Sequence, residues 1–191
     1  MDLAIATTSQ GLLWALMAIG VYITFRVLDI ADLTVEGSFP LGAAVAAKLL
    51  TDGAEPLAAI AVACFAGMVA GVVTGILTTK LKIPALLSGI LTMIALYSVN
   101  LRVMGKANLP LLRTETLFTQ FSIEGISPAL TILIIGLAAT VLVGMANYWF
   151  FGTEIGAAVR ATGDNPRMIR ANGVNTDNMI VLGLLLSNGR A

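Results

Sequence analysis

The residues with the most to say about chemistry lie between Gly152 and Asn178, where a polar stretch rich in glycine, asparagine and arginine separates two strongly apolar segments. Arginines stand at 160, 167 and 170, glycines at 156, 163 and 173, and Asn165 precedes Pro166. The chemistry on offer is recognition, not bond-making. Asn165 is a good helix N-cap, and Pro166 is favoured at the first helical position. A short helix follows through Met168, Ile169 and Arg170, with Arg170 suited to its C-terminal dipole and Gly173 to the left-handed residue that ends it. Upstream, Glu154 opens another short helix that runs through Gly156, Arg160 and Ala161 and closes at Gly163. Two capped helices joined by a tight turn make a rigid docking element. Gly156 and Ala157 give it a small face for close contact with another surface. Met168 and Ile169 need burial, either in a partner or against the chain's own helices.

Other chemistry is thinly represented. The sequence has no histidine and one cysteine, Cys64. The first fact removes the commonest general base and metal ligand, and the second removes any disulfide within the chain. Neither a GxxxxGK[ST] phosphate loop nor a nucleophile–base pair stands out, so no catalytic residue, metal or cofactor is expected. A formal net charge of zero gives no electrostatic hold on nucleic acid.

The elements that position the docking stretch are membrane helices. Hydrophobic residues make up 58% of the chain and charged ones 12%, where soluble domains carry about 25% charged residues. Uncharged runs at 3–25, 56–79, 83–101 and 125–153 each reach about the 20 residues that a bilayer crossing needs. No Lys or Arg precedes the first run and no small-x-small site closes it, so it reads as a span and not a signal peptide. The fold class is all-α: a polytopic transmembrane helix bundle forming one domain over 1–191. Gly37–Ala47, between Glu36 and Lys48, is short. It predicts either a broken second helix that starts inside the membrane near Gly37 or Pro40, or a short tilted helix with Glu36 at the interface. Asn178–Gly189 begins like a span and stops about halfway, so the chain reads as incomplete at its C-terminus.

Ala59, Ala63, Gly67, Gly71 and Gly75 recur at every fourth position and predict a flat helix-packing face. Arg26, Lys80, Lys82, Arg160, Arg167 and Arg170 fall on one side of alternating spans. Lys48, Arg102, Lys106 and Arg113 fall on the other. The larger set is expected inside, which puts 152–178 in the cytoplasm. Glu36, Ser38, Ser88, Thr92 and Asn100 are polar groups at membrane depth that line a solute path or, for Ser and Thr, bond back to their own helices. Ser88-Gly89 is a place where the fourth helix could break.

Taken together, Gly156, Arg160, Ala161, Gly163, Asn165, Pro166 and Gly173 resemble the cytoplasmic coupling loop of ABC-transporter permeases, in particular the family that handles branched-chain amino acids, ribose and related small solutes. The opening QGLLWALMAIGVYITFRVLDIADLTVEGSFPLGAAVAA is similar to that family's first helix and broken second segment, and NTDNMIVLGLLLSNG to the start of the helix after the coupling loop. The resemblance covers nearly all of the chain, and family members continue well beyond Ser187–Gly189. It implies a permease subunit of a binding-protein-dependent importer in the bacterial inner membrane. A second permease subunit would complete the pathway and an extracytoplasmic solute-binding protein would deliver the solute, an amino acid or related compound. A separate ATPase subunit would bind and hydrolyse ATP and grip the coupling loop, Met168, Ile169 and Arg170 included. The rival class is an ion-coupled secondary transporter or channel. Its mark is a carboxylate or histidine within a span, for which Glu36 is the one candidate. A non-transporting membrane assembly protein is a further alternative.

Overall fold

The structure is a computed structural model in which residues 2–106, 108–111, 116, 120 and 128–190 are described. Much of the polar stretch 104–124, with Arg113, and the first residues of the run 125–153 lie outside the described residues. The described chain is helical. Helix α1 (Asp2–Tyr22) passes into a π turn at Ile23–Val27. Helices α2 (Val35–Thr51), α3 (Pro56–Thr79), α4 (Ala85–Met104) and α5 (Pro128–Gly152) follow, and then the short α6 (Glu154–Asp164) and α7 (Pro166–Ala171) lead to α8 (Thr176–Asn188). Four stretches, Ala4–Val27, Pro56–Thr79, Ala85–Met104 and Pro128–Gly152, are long and apolar enough to cross a membrane.

Helix packing follows small residues, as expected where lipid removes the hydrophobic drive between helices. The stripe on α3 meets α8 in antiparallel fashion. Gly67 lies against the Asn188 carbonyl, Gly71 against the Leu184 carbonyl and Gly75 against Val181. Any side chain at the first two would overlap backbone. The stripe continues through half-buried Ala63 to fully buried Ala59. On its other faces α3 packs on α2 and α4. Helices α1 and α5 pair in parallel, held by Ser9 Oγ donating to the Ala129 carbonyl and Thr140 Oγ1 to the Leu12 carbonyl, both at 3.2 Å. Ser187 Oγ donates to the Gly20 carbonyl at 2.7 Å and ties α8 to α1.

The second helix differs from the sequence expectation. It starts at Val35, ahead of Gly37 and Pro40, and runs past Lys48 to Thr51. Lys48 does not end it, because its ammonium extends to Asp52 one turn on, at 2.9 Å. Pro40 lies inside the helix; it has no N–H, so the Glu36 carbonyl loses its usual i+4 donor. The register of α2 against α4 favours a start inside the membrane. Helix α2 runs parallel to α4, with Leu33 against Gly89 and Gly37 against Met93, where an ideal Cβ on Gly37 would lie 2.9 Å from Met93 Cα. Met93 is near the middle of α4, so the first turn of α2 sits near mid-depth. An irregular segment, 28–34, leads there from the π turn, with Asp29 at φ 54°.

The expected break at Ser88-Gly89 does not occur, and α4 is continuous from Ala85 to Met104. Gly89 is small for another reason: the Leu33 backbone nitrogen approaches to 2.8 Å of where its Cβ would be.

Candidate functional site

The stretch 152–178 forms a capped elbow. Thr153 caps α6 by accepting from the Gly156 N–H at 3.2 Å, and Asn165 caps α7 by accepting from the Met168 N–H at 3.1 Å. Pro166 occupies the first turn of α7. Gly173 follows that helix at φ 84°, a conformation that favours glycine. Asn175 then caps α8, accepting from the Asp177 and Asn178 N–H groups at 3.1 and 3.3 Å. Arg170 closes the turn by donating to Thr176 Oγ1 and to Asp177 at 3.2 Å. Lys82, from the α3–α4 turn, adds a 3.8 Å contact to Asp177. Lys82 is largely exposed and the contact is long, so its contribution is small.

The elbow is bolted to the foot of the bundle. Val159 is fully buried against Ile23 and Leu28, with Phe151, Met179 and Ile180 around it. Gly163 lies directly on the Val27 carbonyl and Leu28, too close for a side chain. Other side chains of the elbow are exposed. Met168 on α7 is 54% exposed, as is Ile155 at the start of α6, and Arg167 lines a shallow hollow with Pro166, Arg170 and Ala171. Apolar side chains framed by cations on a rigid surface suit a protein contact.

Above the elbow, a polar seam runs through the bundle. Asp32, in the irregular segment, is 2% exposed. One carboxylate oxygen accepts from the Thr34 N–H and the other from Asn188 Nδ2, both at 2.9 Å. Asn188 Oδ1 accepts from Ser38 Oγ at 2.7 Å. Next to it, Thr34, Thr74 and Thr92 join hydroxyl to hydroxyl at 2.7 and 2.9 Å, and Thr78 meets Ser88 at 2.6 Å. The seam stitches together α2, α3, α4, α8 and the segment before α2, and each of its groups has a partner, as buried polar groups require.

A third feature is a cavity of about 390 Å³ between α2 and α4, lined by Glu36, Gly37, Pro40, Met93, Ile94, Tyr97 and Asn100. Glu36 is exposed within it, and among the described residues it forms no ion pair.

Comparison with known proteins places the sequence in a family. Residues 3–190 match the family described as "Branched-chain amino acid transport system / permease component". The chain belongs to this permease family. It is similar to a tyrosine transport system permease protein of Clostridioides difficile, 42% identical over 97% of this chain and 60% of the relative. It is also similar to an uncharacterised protein of Rickettsia prowazekii, 31% identical over 100% of this chain and 65% of the relative. With the autoinducer 2 import system permease protein LsrC of Yersinia pseudotuberculosis it shares 31% identity over 94% of this chain and 49% of the relative. This permease chain thus spans about half to two-thirds of the length of these curated relatives. No solved structure matches it. Family and apolar helices together make it a multi-pass protein of the inner membrane.

Within the permease, the residues singled out from sequence divide. Asn165, Pro166 and Gly173 hold the places read for them. Gly163 does not end α6, which continues to Asp164; it is small to fit under Val27. Gly156 makes the close contact read for it, and the surface it meets is Phe150 and Phe151 of its own chain. Met168 faces out while Ile169 turns home and is buried. Arg160 borders a cavity of about 650 Å³ with Tyr22, Tyr148 and Trp149, at the foot of α1 and α5. Ala161 is half-buried. Of the five path residues, Ser38, Ser88 and Thr92 belong to the seam. Thr92 and Ser88 also bond back to carbonyls of their own helix. Glu36 and Asn100 share the cavity. Glu36 is not the one carboxylate at depth: Asp32 was missed, because it lies in a segment between runs and its partner Asn188 is far away in sequence.

Proposed function

We propose that this chain is the membrane-spanning permease subunit of an ATP-driven importer, and that the α6–α7 elbow receives a cytoplasmic ATPase subunit. The observation that carries this reading is the division of the elbow: Val159 and Gly163 fix it to the first span and α8, while Arg167 and Met168 of α7 are exposed. A rigid element that is buried in part and exposed in part transmits a push. ATP is bound by the partner, and the permease itself holds no cofactor. An extracytoplasmic binding protein supplies the solute, and a second permease subunit completes the path. The solute is a small molecule, an amino acid in the first instance, since one relative is named for tyrosine transport and another for autoinducer 2 import. Copurification tests the assignment: the ATPase encoded with this chain should be retained by the tagged permease and released by Met168→Glu. Retention unchanged by that substitution would count against the elbow as the contact.

A second reading, an ion-coupled carrier, gains one observation from Asp32, a buried carboxylate at membrane depth. Its oxygens are already occupied by Asn188 and Thr34, which favours a structural role. Transport into vesicles that needs a sodium or proton gradient and no ATP would reverse the preference.

A further inference from the structure

The cavity between α2 and α4 has an uneven chemistry. Glu36 presents a carboxylate near mid-depth, one turn from Pro40, whose missing N–H leaves the Glu36 carbonyl without its usual partner. Asn100 lies at the same wall, 8% exposed, with its Oδ1 unpartnered. Tyr97 is 68% exposed and offers a ring face beside them. Met93, Tyr97 and Asn100 follow one another at helical spacing, so they share one side of α4. No lysine or arginine lines the cavity. A carboxylate at this depth cannot face hydrocarbon and stay charged without a large cost, so it faces water, protein or a ligand. The arrangement holds acceptors and an aromatic face with no cation to answer them. An ammonium group answers both, through the carboxylate by charge and through the ring by cation–π attraction.

We propose that Glu36, Tyr97 and Asn100 form a subsite for the ammonium group of the transported solute. The proposal rests on the reading of this chain as a solute permease, and within that reading it separates amine-bearing solutes from uncharged ones of the sugar type. Glu36 supplies charge selection, Tyr97 the ring face, and Asn100 a polar group that becomes an acceptor on a small rotation of its amide.

The test uses the permease with its ATPase in lipid nanodiscs, with Cys64→Ser and, at the exposed cavity wall, Ile94→Cys introduced. Two thiol reagents of similar size are compared, the trimethylammonium-ethyl and the sulfonatoethyl methanethiosulfonates, with and without ATP. With Glu36 present, the cationic reagent should be favoured by about tenfold or more over its preference in the Glu36→Gln variant. L-tyrosine and tyramine should slow the modification, and the deaminated 3-(4-hydroxyphenyl)propionate should not. A preference for the cationic reagent that is equal in the two variants overturns the ammonium subsite while leaving the permease reading in place. Equal protection by the deaminated compound does the same. No modification by either reagent in any nucleotide state removes the cavity from the solute path, and the subsite with it.

Discussion

The Asn188 side-chain amide donates to the Asp32 carboxylate at 2.9 Å, across 156 positions of sequence. This bond joins the far end of α8 to the segment that carries α1 into α2. Both residues are buried, so the carboxylate depends on its hydrogen bonds in place of water.

Asn188→Ala should therefore destabilise the protein more than Ser38→Ala. The first leaves a buried carboxylate short of a donor, at a cost of about 2–3 kcal/mol; the second loses a neutral bond, about 1 kcal/mol. Thermal unfolding in detergent should show the larger drop in midpoint for Asn188→Ala. The reverse order would mean that Asp32 is not held in this way.

Gly163→Ala forces a methyl group onto the Val27 carbonyl, and overpacking of this kind costs about 1–3 kcal/mol. Gly42 sits in α2 with nothing within 4 Å of its missing Cβ. Gly42→Ala should be neutral or stabilising by up to about 1 kcal/mol. The two alanine variants, compared in the same unfolding assay, should move in different directions.

Neighbouring residues on α7 should separate partner binding from folding. Met168→Glu should weaken retention of the ATPase and leave the unfolding midpoint within about 0.5 kcal/mol of wild type, as an exposed substitution does. Ile169→Glu buries a charge and should lower stability by several-fold more. Similar unfolding losses in both variants would contradict the opposite facings of these side chains.

The α3–α8 contact can be checked by cross-linking. An ideal Cβ on Gly75 lies 3.3 Å from Val181 Cβ, near the separation of about 3.5–4.5 Å that a disulfide needs. In a Cys64→Ser background, Gly75→Cys with Val181→Cys should oxidise readily and lose reactivity toward an alkylating reagent. The pair Ile76→Cys with Val181→Cys should stay reduced, because Ile76 points outward.

What could be read from the sequence was local. Asn165-Pro166 and Gly173 carry their own backbone chemistry, so the elbow was legible, and uncharged runs mark the long helices directly. The small-residue stripe on α3 announced a partner but could not name α8, since a flat face says nothing of what lies on it. Gly163 was read as a helix end and Gly156 as a face for close contact with some other surface, because small size serves turns and close packing alike. Only the neighbours, Val27 and Phe150, decide between them. Asp32 was invisible for the same reason: it stands in an ordinary-looking polar link, and its significance comes from Asn188. The length of α2 was underestimated because Lys48 was treated as a boundary, whereas a lysine stem can run along a helix and lift its charge to the surface.

The contact of Gly163 with Val27 has a mechanical meaning. At Gly163 itself no side chain separates the elbow from the Val27 carbonyl at the end of the first span, and close-packed interiors yield little under load. On the proposed reading, a displacement applied to the elbow would reach that span with little damping, and the junction would serve as a stiff hinge-pin, not a spring.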